Sequence, residues 1–279
     1  MRSLFLIALI VVPAVAQRLP LPERTDTLPG AAELFLRIRD LTRTEREAEL
    51  FRQVMAGNVP RFLRTLAPVT VQETVNGTLY TLRYYVTPDY LSLGSDSDHM
   101  LMPMTPLLAQ RIADRTGSLL PTPRMSDQIY AAAPLKLRPQ PIPPDAAMDR
   151  MPRFLQHDDS VSALRRPLLG TYPYGTLVAG HKKDVVIDPL LYSRLKAKVP
   201  RPVVIYGWHK PDGVPIQPAY NGHGETYADY SHGIRLVQER AEINGAEVRL
   251  SDLLTDERFA LMLSDTALVR TRYDIPRSP

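Results

Sequence analysis

Proline sets the first limit on this chain. There are 27 prolines in 279 residues. A proline stops a helix interior and removes a ladder hydrogen bond from a central strand. Regular structure is therefore confined to the intervals between proline clusters. Gln17 to Gly30 reads as a Pro-rich lead-in (17–30). Residues 134–152 form a second Pro-rich connector, with Pro139, Pro141, Pro143 and Pro144. Pro200 and Pro202 flank the entry to a strand at Val203–Ile205. The middle connector predicts a division between a helical and hairpin region at 31–133 and a β-rich C-terminal region at 153–279.

The N-terminus carries an export signature. Arg2 gives a positive start, Leu4 to Val12 is an unbroken apolar run, and Ala14-Val15-Ala16 fits small-x-small cleavage. Residues 1–16 are expected to be a signal peptide. The run is shorter than the roughly 20 residues of a membrane-spanning helix. The expectation is a secreted or periplasmic protein with no stable membrane insertion after signal cleavage. A mature chain of roughly 260 residues can bury a full core without disulfides. Cysteine is absent, which excludes thiol nucleophiles, Cys-ligated zinc and iron–sulfur clusters, and favours bacterial export over a disulfide-rich secreted class. The net charge of +4 is scattered. Without a basic patch interleaved with aromatics, no nucleic-acid partner is expected.

Local signals fill the intervals. Leu34, Ile38 and Leu41 recur at helical spacing over Ala31 to Leu41. A second helix is predicted over Thr44 to Ala56, with Thr44 and Glu47 as a capping box and Gly57 as its stop, then a short third over Asn58 to Leu66. Val69–Val75 and Thr78–Val86 flank Asn76-Gly77, a hairpin signal. Thr105-Pro106 opens a helix through Arg115 that Gly117 ends. Ser126 is read as the cap of another helix, with Asp127 in its first turn. Further on, short apolar runs bracket 180–183, Ile234 to Val237 reads as a strand, and Asn244-Gly245 marks a second hairpin before short helices through Leu263. The fold class predicted is α+β: a helical N-terminal half with one hairpin, and a mixed β-rich C-terminal half.

The chemistry concentrates between Gly180 and Arg235. His181, His209, His223 and His232 lie there, with the only tryptophan, Trp208. His209 follows the strand ending Tyr206-Gly207, a common way to present a general base. His223 sits between glycines and is followed by Glu225. In Asp229-Tyr230-Ser231-His232-Gly233, an extended backbone puts Asp229 and Ser231 on one face and His232 on the other. Ser231 or Asp229 is therefore expected to pair with a histidine from elsewhere, such as His209. Lys183 and Asp184 can tune a nucleophile or hold a carboxylate, and Arg235 can clamp one. The Asp96-Ser97-Asp98-His99 run lacks the glycine and glutamate of a helix–loop–helix calcium site and is read as a loop that can edge the cleft.

Two chemistries stay open. In the first, His209, His223, His232 and Asp229 hold a divalent metal such as zinc, with Glu225 as base. In the second, which needs no cofactor, His209 and His232 act as base and acid, Ser231 is the nucleophile or a donor, and Lys183 with Arg235 stabilises negative charge. Either suits hydrolysis at a carbonyl or glycosidic centre of an extracellular or cell-wall polymer. A rival reading is a non-catalytic binding protein whose Tyr206, Trp208, Tyr227 and Tyr230 stack against sugar or peptide.

Ser231-His232-Gly233-Ile234-Arg235-Leu236 resembles the Ser-His-Gly-Cys-Ile-Arg signature of L,D-transpeptidases, which crosslink peptidoglycan stem peptides. The cysteine between Gly233 and Ile234 is missing here. It is the nucleophile of that family, so its activity does not carry over. The blocks Lys182 to Val186, Tyr206 to His209 and Asp229 to Leu236, with Asp96 to Pro106 upstream, resemble a family of uncharacterised exported bacterial proteins. That resemblance spans most of the mature chain and implies a shared site without a named reaction.

Overall fold

In a computed structural model, residues 17–192 and 201–275 are described. The expected signal peptide (1–16) and Pro200 lie outside them. The first half holds helices α1 (Ala31–Ile38) and α2 (Arg43–Met55), strands β1 (Ala67–Val75), β2 (Thr78–Val86), β3 (Ser92–Gly94) and β4 (His99–Leu101), helix α3 (Pro106–Arg115), strand β5 (Ser118–Leu119), helix α4 (Pro123–Ala132) and strand β6 (Leu135–Lys136). The second half holds helix α5 (Met151–Arg165), strands β7 (Val178–Ala179), β8 (Lys183–Val185), β9 (Pro202–His209), β10 (Pro215–Gly224), β11 (His232–Gly233), β12 (Val237–Gln238), β13 (Arg240–Ile243) and β14 (Ala246–Arg249), and helix α6 (Leu250–Thr255). The class is α+β.

The two halves share their layers. One sheet runs β14-β13-β2-β12-β5, with β1 also paired to β2. Strands from both sides of the 134–152 segment thus alternate within it. The larger of two apolar clusters runs from Leu19 to Tyr273, and a smaller one gathers Tyr90, Leu101, Leu135, Leu137, Val161 and Val178. The larger cluster draws on residues from both sides of the 134–152 segment. A second sheet, β10-β9-β8-β11, carries the chemistry-bearing segments.

The turn chemistry works as the sequence dictates. Asn76 and Gly77 take φ of 50° and 80°, and Asn244 and Gly245 take 49° and 83°, the left-handed pair of a two-residue hairpin. Thr105 caps α3, with Pro106 in its first turn. Three boundaries differ. The capping box of α2 is Thr42 with Glu45, one of two overlapping Thr-x-x-Glu patterns. Glu47 of the other pattern instead accepts from the Thr105 amide and hydroxyl, both at 2.7 Å. The predicted helix over Asn58 to Leu66 is only a 3-10 turn at Arg61–Leu63, with Pro60 extended at its N-cap (ψ 143°) and disfavouring helical backbone at the residue before it. Thr122, not Ser126, caps α4, so Asp127 lies in mid-helix. Among the described residues no helix is long and apolar enough to cross a membrane.

Candidate functional site

Three segments distant in sequence meet on neighbouring strands. Lys183 of β8 lies opposite Gly207 of β9 on one side and His232 of β11 on the other. Two local features make this possible. Gly207 and Trp208 both have positive φ, 100° and 59°; at a tryptophan this is strained, at a cost of roughly 1–2 kcal/mol. The kink sends the Trp208 indole inward, where Nε1 donates to the His181 carbonyl at 3.1 Å. Gly233 is the second feature. A Cβ there would lie 2.5 Å from the Tyr90 ring and 2.7 Å from Lys182 Cβ, so only glycine lets β11 approach β8 this closely.

Residues 229–232 form a turn rather than extended strand, closed by the His232 amide donating to the Asp229 carbonyl at 3.1 Å. The turn folds the Asp229 carboxylate back onto Ser231, whose amide and hydroxyl donate to Oδ1 at 2.8 and 2.5 Å. Tyr227 donates to the other oxygen at 3.3 Å. His232 Nε2 stands 3.9 Å from that oxygen, beyond a hydrogen bond. Neither ring nitrogen of the fully buried His232 has a partner among the described residues. Burial pushes its imidazole down to about 4, so it is neutral at physiological pH. Burial also opposes the charge on Asp229, yet His232, the Ser231 hydroxyl and Lys183 together hold its carboxyl below the usual range. The Lys183 ammonium lies 4.9 Å over the Trp208 ring, and burial lowers it although Asp229 opposes the shift. His223, half-buried, stacks on Tyr227 at 4.2 Å.

His209 goes elsewhere. The expected pairing with Ser231 or Asp229 is replaced by Asp127 of α4, at 2.7 Å from Nε2. The imidazole is buried and stacked on Tyr130 at 4.5 Å. The carboxylate is half exposed, at 51%. The Tyr206 hydroxyl donates to the same carboxylate, 2.9 and 3.0 Å from its two oxygens. Asp127 and Tyr206 line a cleft of about 400 Å³.

Beneath both pairs lies a buried polar floor. Asp89 bonds His181 Nε2 at 3.0 Å and faces Arg165 at 3.5 Å. Burial would raise the Asp89 carboxyl; His181, Arg165 and Arg235 outweigh it and bring it to about 2. Lys182 Nζ donates to the Tyr230 carbonyl at 2.6 Å, and burial pushes it down to about 8 despite Asp158, Asp229 and Asp89. Asp184 turns away from Lys183 into this floor. It accepts from the Tyr90 hydroxyl at 3.2 Å, and burial raises its carboxyl.

Several expected roles change accordingly. Arg235 is a core clamp, not a substrate clamp: it donates to the Thr87 and Val178 carbonyls at 2.7 and 2.8 Å, and its guanidinium lies 4.2 Å over Tyr90. Trp208 and Tyr230 are core aromatics, 5% and 2% exposed, with the Tyr230 hydroxyl tied to the Ile142 backbone. They form no stacking surface. Glu225 is paired with Arg201 at 2.7 Å. The histidines of the metal reading separate: His209 is held by Asp127, His223 stacks on Tyr227, and His232 is buried beside Asp229. Among the described residues no three His, Asp or Glu side chains gather as a ligand set.

Sequence reading missed Asp89, Asp127, His157, Asp158 and Arg165. The α5 residues were the hardest. The buried stripe of α5 is Met151, Phe154, His157, Asp158, Val161 and Arg165, so half of it is polar and no apolar period reveals the helix. No protein-family model, curated protein or solved structure matches the chain. The site therefore stands on its own geometry.

Proposed function

We propose that the chain is an exported hydrolase acting at a carbonyl centre of extracytoplasmic or cell-wall peptide, with Asp229, Ser231 and Lys183 as the reacting groups. The single observation that carries this reading is the 2.5 Å hydrogen bond from the Ser231 hydroxyl to an ionised, buried Asp229. As the Ser231 oxygen attacks a carbonyl carbon, Asp229 takes the hydroxyl proton. Lys183 supplies positive charge to the developing oxyanion, in a site where burial strengthens each interaction. The neutralised Asp229 carboxyl returns that proton to the departing amine, and water entering in its place is then deprotonated by Asp229 and cleaves the acyl-Ser231 ester, restoring the Ser231 hydroxyl. One carboxylate in this cluster suits acyl transfer better than glycoside hydrolysis, which uses a pair flanking the bond. Ser231 is 1% exposed, and Tyr227 lies over Asp229 through a long bond; substrate entry displaces that ring. The extracytoplasmic setting rests on the leader expected at residues 1–16.

The alternative reading is a non-catalytic binding protein. It draws on the run of Tyr220, His223 and Tyr227 rings, in contact with one another at the surface end of β10.

The test is turnover. The purified chain is incubated with peptidoglycan sacculi and, separately, with p-nitrophenyl acetate. Ser231→Ala is expected to lower the rate by about 10³-fold while the folded spectrum is kept. A rate unchanged by Ser231→Ala sinks the assignment. Retention on sacculi without any turnover decides for binding.

A further inference from the structure

A second cavity lies away from the β8–β9–β11 cluster, between α1 and α5, with β4 along one wall. It has a volume of about 540 Å³, within the range of roughly 300–1,000 Å³ that suits a small organic ligand. Its walls are largely apolar, with Phe35, Leu36, Met100, Leu155 and Tyr174. Leu36 is 62% exposed, an apolar side chain left at the edge of an apolar cavity.

The polar group in this cavity is Asp158 of α5, only 7% exposed. One carboxylate oxygen accepts the Leu101 amide at 2.8 Å. Among the described residues this amide is the one hydrogen-bond donor to the carboxylate. The Lys182 ammonium acts on Asp158 from a distance, while its Nζ donates to the Tyr230 carbonyl at 2.6 Å. A carboxylate this deep with no cation in direct contact is costly to keep charged, and burial raises the Asp158 carboxyl to about 7 although Lys182 opposes the shift. The rim adds Asp98 and Asp159 against Arg166 and His99, so it does not favour an anion. Phe35 offers the ring face that an ammonium prefers beside its carboxylate, whereas the Tyr174 ring is already stacked on Phe62 and lies under Arg165, so it contributes apolar wall only.

We propose that this cavity binds a small amphiphilic amine, whose ammonium pairs with Asp158 and whose apolar body lies against Phe35, Leu155 and Tyr174. The site is separate from the proposed hydrolytic centre and does not rest on that reading. The ligand's ammonium gives Asp158 a direct cationic contact that Lys182, bonded to the Tyr230 carbonyl, does not make.

Binding by the full purified chain tests it. The probes are 2-phenylethylamine, 2-phenylethanol and 3-phenylpropionate, which share an apolar body and differ in the head group. Calorimetric titration is expected to give the amine a Kd at least about tenfold below those of the alcohol and the acid. Asp158→Asn keeps an acceptor for the Leu101 amide and is expected to erase the amine preference. Ala32→Phe fills the cavity from the α1 wall without touching Asp158, and is expected to abolish amine binding; it keeps the test decisive should Asp158→Asn fail to fold. Equal Kd values for amine and alcohol, no amine binding at all, or amine binding unchanged in either folded variant overturns the proposal.

Discussion

The two ends of the β8–β9–β11 cluster use the same two residue types in opposite ways. At one end His209 is buried, stacked on Tyr130 and bonded to Asp127 at 2.7 Å, while the carboxylate reaches solvent. At the other end both groups are buried, the Asp229 carboxylate is taken by Ser231, and His232 has no partner at either nitrogen among the described residues. A satisfied buried ring stabilises the fold. An unsatisfied one destabilises it, and its retention calls for another reason, such as proton transfer. On the hydrolase proposal, this contrast gives His209 a positioning role and Asp229 the reacting one.

The largest expected difference lies in rate. Asp229→Asn keeps the size and the turn but cannot take the Ser231 proton, so turnover should fall by about 10³-fold or more. Asp127→Asn should lower it by no more than about tenfold, since Asp127 acts only through His209. Equal losses in kcat would remove the distinction between the two ends.

Stability should show the reverse order. His209→Leu breaks a hydrogen bond and an aromatic stack, and is expected to cost about 2 kcal/mol in denaturant unfolding. His232→Leu removes two unpaired polar atoms from the core and is expected to be neutral or stabilising by about 1 kcal/mol. A destabilised His232→Leu would mean that the ring is held by something other than packing.

The same pair predicts a pH effect of defined sign. Burial takes His232 from an ordinary 6.5 to about 4 in the folded chain. Between these values the unfolded chain binds a proton that the folded chain does not, so acid favours unfolding. The associated stability is complete above about pH 6.5 and is lost as pH falls toward 4, by up to about 3 kcal/mol. His157, also lowered by burial, adds in the same direction. The slope of unfolding free energy against pH should therefore flatten in His232→Leu without vanishing. His232→Leu with an unchanged slope would show that the ring is already charged in the folded state.

Legibility followed the range of the interactions. Asn76-Gly77, Asn244-Gly245 and Thr105-Pro106 could be read because their chemistry is complete within a few residues. A convergence of 181–184, 207–209 and 223–235 could be anticipated as a need, because polar residues so dense must share solvent or partners. The partners themselves could not be read. Asp127 meets His209 across 82 residues, and Asp89 meets His181 across 92; no local pattern encodes either pair. The turn at 229–232 was misjudged for a related reason. Alternation assumes an extended chain, and Asp with Ser two residues on instead competes for the backbone through its side chain. Helix α5 stayed hidden because its inward face carries His157, Asp158 and Arg165 where a core helix ordinarily carries leucine.

The smallest effect concerns the tyrosines that donate to each carboxylate. Tyr206→Phe removes bonds of 2.9 and 3.0 Å to Asp127, yet that carboxylate is half in water and keeps His209. Solvent replaces the lost donor, so stability should change by about 0.5 kcal/mol or less. Tyr227→Phe removes a longer bond, 3.3 Å, from a carboxylate that water does not reach freely. Although the bond is weaker, Asp229 has no replacement donor at that oxygen, because His232 stands at 3.9 Å. Its cost should therefore be the larger of the two, about 1 kcal/mol. Distance alone predicts the opposite order, so ranking the two variants by urea midpoint decides whether burial or bond length governs these carboxylates.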